Sequence, residues 1–278
     1  RSLLKPHLAE APLFCFKDQD SVVHRLWQVT DQKTLQGVIQ ILSEKTPFIA
    51  DGHHRYETAI NYKEEQSLVE RITSINRPYS HSMMTLVNMD DEEGMTINPI
   101  HRVVMGLGAF GRDRLEAGIQ NMFEIEVEVF TSIERVLQEI HKRARGGRTV
   151  FGYCTGENLK IKYLTLKKSV DLANLDMEGH SETWRKLDTG ILQLTLGRIL
   201  DLNLEALTGG EKVRFVKGES EFCKLLGEAP DRAGFLLNPI DLVRLREVVL
   251  AGDRMPPKST FFYPKVYSGL VIQDLSGF

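Results

Sequence analysis

Cysteine is scarce in this chain, and what there is lies scattered. Cys15, Cys154 and Cys223 are odd in number, far apart and never in CxxC spacing. That argues against a disulfide framework and a cysteine-built zinc site, and points to a reducing, cytoplasmic compartment. No apolar run approaches the ~18 residues that a membrane-crossing helix needs, and no secretory leader is visible. A basic excess is missing too: 35 Lys and Arg stand against 38 Asp and Glu, a net charge of −3. Extended nucleic-acid surfaces usually carry such an excess, so nucleic acid is not the expected partner. The chain opens on Arg1 rather than Met, the form of a fragment or processed product. What it does have is 278 residues that are 42% hydrophobic. That is enough for a substantial core, in two domains or in one with a large appendage.

The hydrophobic pattern alternates between periods of two and 3.6 residues, which gives an α+β class. A short helix and a strand fill residues 1–20, and a second strand covers Val22 to Val29. Thr30-Asp31 can cap a helix over Gln32 to Glu44, whose Leu35, Val38, Ile39 and Leu42 share one face. Strands are predicted over Thr46 to Ala50, Ser82 to Met89 and Met95 to Val104, the last broken by Pro99, with a helix from Arg55 to about Glu70 and an acidic turn from Asp90 to Gly94. Three glycines between Gly106 and Gly111 suggest a domain boundary, with residues 1–105 before it and 106–278 after. In the second region helices are predicted over Asp113 to Phe123 and Ser132 to Arg145, with a strand from Glu124 to Phe130. A hairpin spans Thr149 to Leu166 across Gly156-Glu157-Asn158. One long helix carries Trp184, Leu187, Ile191, Leu194 and Ile199. Strands over Val213 to Val216 and Ala233 to Asn238 alternate with helices over Ser220 to Leu226 and Asp241 to Ala251. A last strand is predicted near Leu270 to Ile272.

The most informative stretch is Ile49-Ala50-Asp51-Gly52-His53-His54-Arg55-Tyr56-Glu57. An apolar strand is expected to end at Ala50, Gly52 permits a tight turn, and a helix starts at once. The first N–H groups of such a helix lack partners and sit at its positive dipole end, where phosphate binds readily. Arg55 adds a forked donor matched to phosphate oxygens, and His53 and His54 add imidazole donors. Asp51 could hold Mg²⁺ or act as a general base, and Glu57 could do the same from the helix. The bland alternative is a surface turn with Arg55 in a structural ion pair. Zinc is the weaker chemistry, since adjacent histidines rarely chelate one ion and no His-x-x-x-His pair occurs.

Two further His-Arg pairs, His24-Arg25 and His101-Arg102, fall on predicted strands. Alone, each reads as a strand residue paired with a carboxylate; together with His54-Arg55 they suggest a shared anion pocket. A second unusual stretch runs from Arg254 to Lys265. Its prolines stiffen the backbone, and the cations Arg254, Lys258 and Lys265 with the hydroxyls of Ser259 and Thr260 would suit a polyanionic ligand. Its alternative is a chain-end strap over the core. Gly106 to Gly111 has the GxGxxG form with Glu126 about 20 residues on, but His101 and Arg102 are poor residues for a buried parallel strand, so a glycine-rich linker is the better reading. Cys154 reads as core, and His141 and His180 as solvated.

The strings HRLWQVTD, IADGHHRYETA, LVNMDD, PIHRVV, FLLNP and RMPPKSTFFYPK, in this order from about Val23 to the C-terminus, resemble the uncharacterised prokaryotic family called domain of unknown function 1015. The resemblance implies a further N-terminal region upstream, and a histidine where this chain has Gln193. More remotely, the strand, glycine turn, His-Arg and helix are similar to the phosphate-binding motif of the ParB and sulfiredoxin superfamily. That likeness implies a mixed-sheet domain over residues 1–105 in which Gly52, His54 and Arg55 contact phosphates. Sulfiredoxins place a catalytic cysteine where this chain has His53, which argues against their chemistry. The serine-kinase relatives use carboxylates and Mg²⁺, which Asp51 and Glu57 could supply.

These readings define the functional expectation. The chain would be a small-molecule phosphotransferase or nucleotide hydrolase using ATP, ADP, CTP or pyrophosphate with Mg²⁺. Asp51, His53 and Glu57 would do the chemistry; Gly52, His54, Arg55, His101, Arg102, Arg254, Lys258 and Ser259 would bind phosphate. An amino acid such as serine is the acceptor suggested by analogy. The rivals are a nucleotide-gated binding module without chemistry and a metal-assisted phosphohydrolase.

Overall fold

The structure is a computed structural model that describes residues 2–19, 21–71, 75–91, 94–156, 160–176 and 178–275. Glu157 and Asn158 of the expected hairpin turn, and Glu92 and Glu93 of the acidic turn, lie outside the described residues. The architecture is α+β. The chain folds as two compact units, Arg1–Thr96 with Pro264–Phe278, and Ile97–Tyr263.

In the first unit, β1 (Phe14–Lys17) and β2 (Val23–Leu26) pair as an antiparallel ribbon. Helix α1 (Gln32–Ser43) starts where the Asp31 carboxylate accepts the Thr34 N–H at 2.8 Å, the side-chain cap expected of an aspartate at that position. Helix α2 (His53–Glu70) follows from Gly52. Among the described residues of this unit only Thr34 and Tyr79 are buried. The strands expected over Thr46 to Ala50, Ser82 to Met89 and Leu270 to Ile272 do not form. Their apolar residues are in the right pattern, but Ile49, Met83, Met84, Leu86, Val87 and Ile272 stay exposed. A strand requires a neighbour for its backbone groups as well as an apolar pattern.

In the second unit, β3 (Thr96–Asn98) pairs with β10 (Phe261–Tyr263), in a stretch that reads from sequence as a loop. The expected strand from Met95 to Val104 is broken at Pro99 into β3 and β4 (His101–Val104), because proline cannot donate to a ladder. Helix α3 (Gly108–Met122), β5 (Phe123–Val129), α4 (Ile133–Arg143), β6 (Val150–Thr155) and β7 (Lys160–Leu166) follow. Short helices α5 (Leu172–Leu175) and α6 (Glu182–Arg185) precede α7 (Asp188–Leu200) and α8 (Leu204–Thr208). The chain then runs through β8 (Val213–Val216), α9 (Glu219–Gly227), β9 (Ala233–Leu236) and α10 (Leu242–Leu250).

Six strands form one sheet in the order β5-β7-β6-β9-β4-β8, antiparallel at every junction. Strand alternation divides its side chains between two cores. One face carries Val104, Phe151, Phe235 and Val213 under α3, α7 and α8. The other carries Val103, Val150, Val216 and Leu236 under α4 and α9. With no parallel strand pair in this sheet, the glycines from Gly106 to Gly111 open α3 without a dinucleotide-type crossover, and they lie inside the second unit.

The long helix expected through Trp184 and Ile199 is two helices. The backbone is extended at Leu187, and α7 restarts so close to α6 that a Cβ on Gly190 would lie 2.8 Å from Trp184 O and 3.0 Å from the indole. His180 is not solvated as expected. Its ring stacks on Trp184 at 3.7 Å, and its Nδ1 lies 2.8 Å from the Asp176 carboxylate. Asp176 is a local anchor that no motif announced. His141 is exposed. Cys154 is buried in the core, and burial pushes its thiol up to about 12, which suits packing and not nucleophilic attack.

Candidate functional site

The stretch from Asp51 to Glu57 is a tight turn into an 18-residue helix. Gly52 has φ +86° and ψ 27°, the left-handed region that glycine enters without a Cβ penalty. Because Gly52 has no side chain, the first turn of α2 receives no side-chain cap. The Tyr56 N–H donates to Gly52 O at 3.0 Å, which leaves the earlier amides at the positive end of the helix dipole.

Arg55 folds back over this turn. A Cβ on Gly52 would sit 2.8 Å from Arg55 Nη2 and 3.0 Å from Nε. Among the described residues the guanidinium makes no ion pair, and its charge reaches the Asp51 carboxylate only at longer range. His53 and His54 are exposed. His54 Nδ1 lies 3.3 Å from Glu57 Oε2, and the His54 side chain is otherwise open to solvent.

Asp51 accepts from the Gly52 N–H at 2.9 Å and from Lys265 Nζ at 2.8 Å. The Lys265 ammonium holds the Asp51 carboxyl below the usual carboxylate range, with help from the Gly52 N–H and the Arg55 charge. Asp51 is therefore ionised at neutral pH and a weak proton acceptor. Lys265, one of the cations of the Arg254 to Lys265 stretch, reaches this turn within the first unit.

The remaining candidates belong to the second unit. His101 and Arg102 are adjacent on β4, and strand alternation sends them to opposite faces of the sheet. His101 meets the Phe222 ring edge-on, and its Nδ1 accepts the Leu237 N–H at 3.3 Å. Burial, with the Arg102 charge beside it, pushes its imidazole down to about 4. Arg102 lies 6% exposed on the α7 face, cross-strand from Phe215, whose ring centroid is 4.4 Å from its Cζ. It donates to the Ile100 carbonyl at 2.8 Å and to the Lys258 carbonyl at 2.9 Å. A cavity of about 20 Å³ lies against it.

Ser259 is buried, with Oγ 2.6 Å from Pro256 O and 3.1 Å from Thr189 Oγ1. Lys258 and Arg254 are exposed, and the Arg254 carbonyl accepts from Trp184 Nε1 at 3.1 Å. His24, of the remaining His-Arg pair, is committed to Asp18 at 2.8 Å and to the rings of Phe16 and Tyr267. The three pairs thus serve three different environments, and none of them repeats the open geometry of His54-Arg55.

Among the described residues, no three His, Cys, Asp or Glu side chains are gathered closely enough to hold a metal ion. The Asp51 carboxylate is already engaged by Lys265. This donor set does not fit a Mg²⁺ ion held by the chain alone, which normally needs one or two free carboxylates and substrate oxygens.

An exposed, uncapped helix start with a cationic flank, carried by an α+β chain, is the class that fold and site define. A model of the family described as protein of unknown function (DUF1015) matches residues 1–190, and the chain belongs to that family. The match contains the turn and both residues of His101-Arg102; the Arg254 to Lys265 stretch lies beyond it. No curated protein and no solved structure matches the chain. Among the described residues no helix is long and apolar enough to cross a membrane.

Proposed function

We propose that the turn from Asp51 to Glu57 binds the phosphate group of a small molecule or nucleotide, and that the chain acts as a small-molecule phosphotransferase or nucleotide hydrolase. The observation that carries this reading is Arg55. Its guanidinium lies without an ion-pair partner among the described residues, against a left-handed glycine at the uncapped start of α2. Backbone amides, guanidinium and the nearby Lys265 ammonium are the donors that phosphate recognition uses. The likeness of this turn to the ParB and sulfiredoxin motif supports the same ligand class.

Catalysis of phosphoryl transfer is mostly positioning and charge stabilisation. Asp51, kept ionised by Lys265, suits orientation of an acceptor hydroxyl, such as that of an amino acid. His53 and the His54–Glu57 pair can carry a proton from the exposed side. ATP, ADP, CTP and pyrophosphate are the donors to try first, and Mg²⁺ would arrive with the donor's phosphates.

The rival is a nucleotide-gated binding module that performs no chemistry. The engagement of Asp51 by Lys265 favours it, because that pair leaves no free carboxylate from Asp51 for a metal. The test is to incubate the chain with each labelled donor, with Mg²⁺ and with or without serine. Labelled phosphate on the amino acid supports transfer, free phosphate supports hydrolysis, and binding without turnover supports the gated module. Arg55→Ala should weaken binding at least about tenfold, the loss of one charge-assisted contact; unchanged affinity in that variant would remove the turn from the site.

A further inference from the structure

We propose that Arg102 and the cavity beside it form a binding site for one small monovalent anion of halide size, within the second unit and independent of the turn at Asp51 to Glu57. The argument starts from charge. Arg102 is buried on β4, which is paired on both sides in the antiparallel sheet, and its hydrogen bonds run to the backbone carbonyls of Ile100, His101 and Lys258. These are neutral acceptors. Phe215 contributes only the face of a ring. Burial lowers the guanidinium to about 9, and among the described residues no acidic side chain offsets that shift. A buried cation without an anion is strongly unfavourable, while satisfied hydrogen bonds address its donors and leave its charge in place.

The cavity supplies the missing position. It is lined by Arg102, Thr189 and Gln193, with Leu192, Phe215 and Pro257 also in its wall, and among the described residues no carboxylate takes part. Thr189 and Gln193 are four residues apart on α7 and so present to one face. The Ser259 hydroxyl gives its proton to Pro256 O at 2.6 Å. The Thr189 hydroxyl, 3.1 Å from Ser259 Oγ, can therefore turn its own proton either to Ser259 or to the cavity. The Gln193 amide adds two N–H donors.

Size decides the ligand. A volume of about 20 Å³ admits one water-sized species. A water would fill that space without countering the charge, whereas a halide, a single atom little larger than water, would do both. The loop that covers the guanidinium is held in an uncommon conformation, with Lys258 at φ +54° and its carbonyl on Arg102 Nη2. Such backbone strain persists where the surroundings over-determine it.

The probes are sodium chloride and sodium bromide, compared with sodium gluconate at equal ionic strength. Halide should raise the melting temperature saturably, and chloride NMR lines should broaden on adding the protein. Arg102→Met should abolish both effects. Should that variant fail to fold, Gln193→Leu decides, with halide affinity about tenfold weaker or more, as expected for a lost hydrogen-bond donor to a charged group. Arg55→Ala should leave the halide response intact, which separates this site from the proposed phosphate turn. Equal melting in chloride and gluconate, or a response that is linear in salt and shared by Gln193→Leu, overturns the proposal.

Discussion

The Lys265 ammonium lies 2.8 Å from the Asp51 carboxylate, across 214 positions of sequence. Both side chains are about half exposed, at 43% and 57%. Exposed pairs of this kind contribute roughly 0–1 kcal/mol. Lys265→Ala should therefore leave the melting temperature within a few degrees of the parent. Its effect should appear in binding, where the lost cation weakens the affinity of the turn for pyrophosphate. Asp51→Asn separates two roles. If Asp51 only balances Lys265, the variant binds pyrophosphate more tightly because a negative charge has gone. If Asp51 orients an acceptor, turnover falls while binding holds. Isothermal titration and a phosphate-release assay on both variants read the difference.

Gly52→Ala tests the turn itself. Two penalties compete there, a Cβ in the left-handed region and its clash with Arg55. The guanidinium is the far end of a flexible side chain and can swing away. The backbone cannot, and the left-handed region costs an L-residue about 1–2 kcal/mol. Gly52→Ala should thus speed hydrogen exchange of the first α2 amides about fivefold or more, the factor that such a cost implies. The Arg55→Ala background should leave most of that increase in place. If Arg55→Ala cancels it, the side-chain clash and not the backbone was the cause.

How far the sequence revealed this arrangement depends on what each signal needed. The cap at Asp31, the β6–β7 pairing and the helix expected over Ser132 to Arg145 follow from local signals, and they are present. The turn at Gly52 was legible because only a few residue types tolerate its backbone. The strands expected at Thr46 to Ala50 and Ser82 to Met89 failed because periodicity describes one segment and a ladder requires two. His101 and Arg102 read as neighbours along the chain, and the alternation of β4 sent them to separate cores. Lys265 was invisible as a partner of Asp51, since nothing local reports a contact over that separation.

His101 gives a pH dependence with a definite sign. Its folded value is about 4 against an ordinary 6.5, so the unfolded chain takes up a proton first as the pH falls. The stabilisation is complete above pH 6.5 and is lost on the way down through 4. At about 1.36 kcal/mol per unit, the loss is about 3 kcal/mol. His101→Asn keeps an acceptor for the Leu237 N–H and removes this titration, so in a background that also lacks the buried Asp188 carboxyl (Asp188→Asn) its urea midpoint should vary less between about pH 7 and pH 4 than that of Asp188→Asn alone. Trp184 fluorescence in a Trp27→Phe background reports the second unit specifically. A double variant whose midpoint falls with acid as steeply as that of Asp188→Asn alone would show that His101 is not the group responsible.

Asp188 should act in the opposite direction over nearly the same window. It starts α7, and burial raises its carboxyl from 3.8 to about 6 against the opposing pull of Arg244 and Thr149. The folded chain holds this proton longer than the unfolded one, so the contribution to stability falls as pH rises from about 4 to 6. Its size, by the same conversion, is about 3 kcal/mol. Between about pH 4 and pH 6 the two groups then oppose each other, and the parent should show little net slope from this pair. Asp188→Asn removes one side of the balance. It should raise the urea midpoint at neutral pH by an amount equivalent to about 2–3 kcal/mol, and that gain should shrink toward zero near about pH 3.5. The double variant with His101→Asn should be nearly flat across the range. A constant difference between parent and Asp188→Asn at every pH would mean that the carboxyl is ionised throughout and that the gain comes from packing alone.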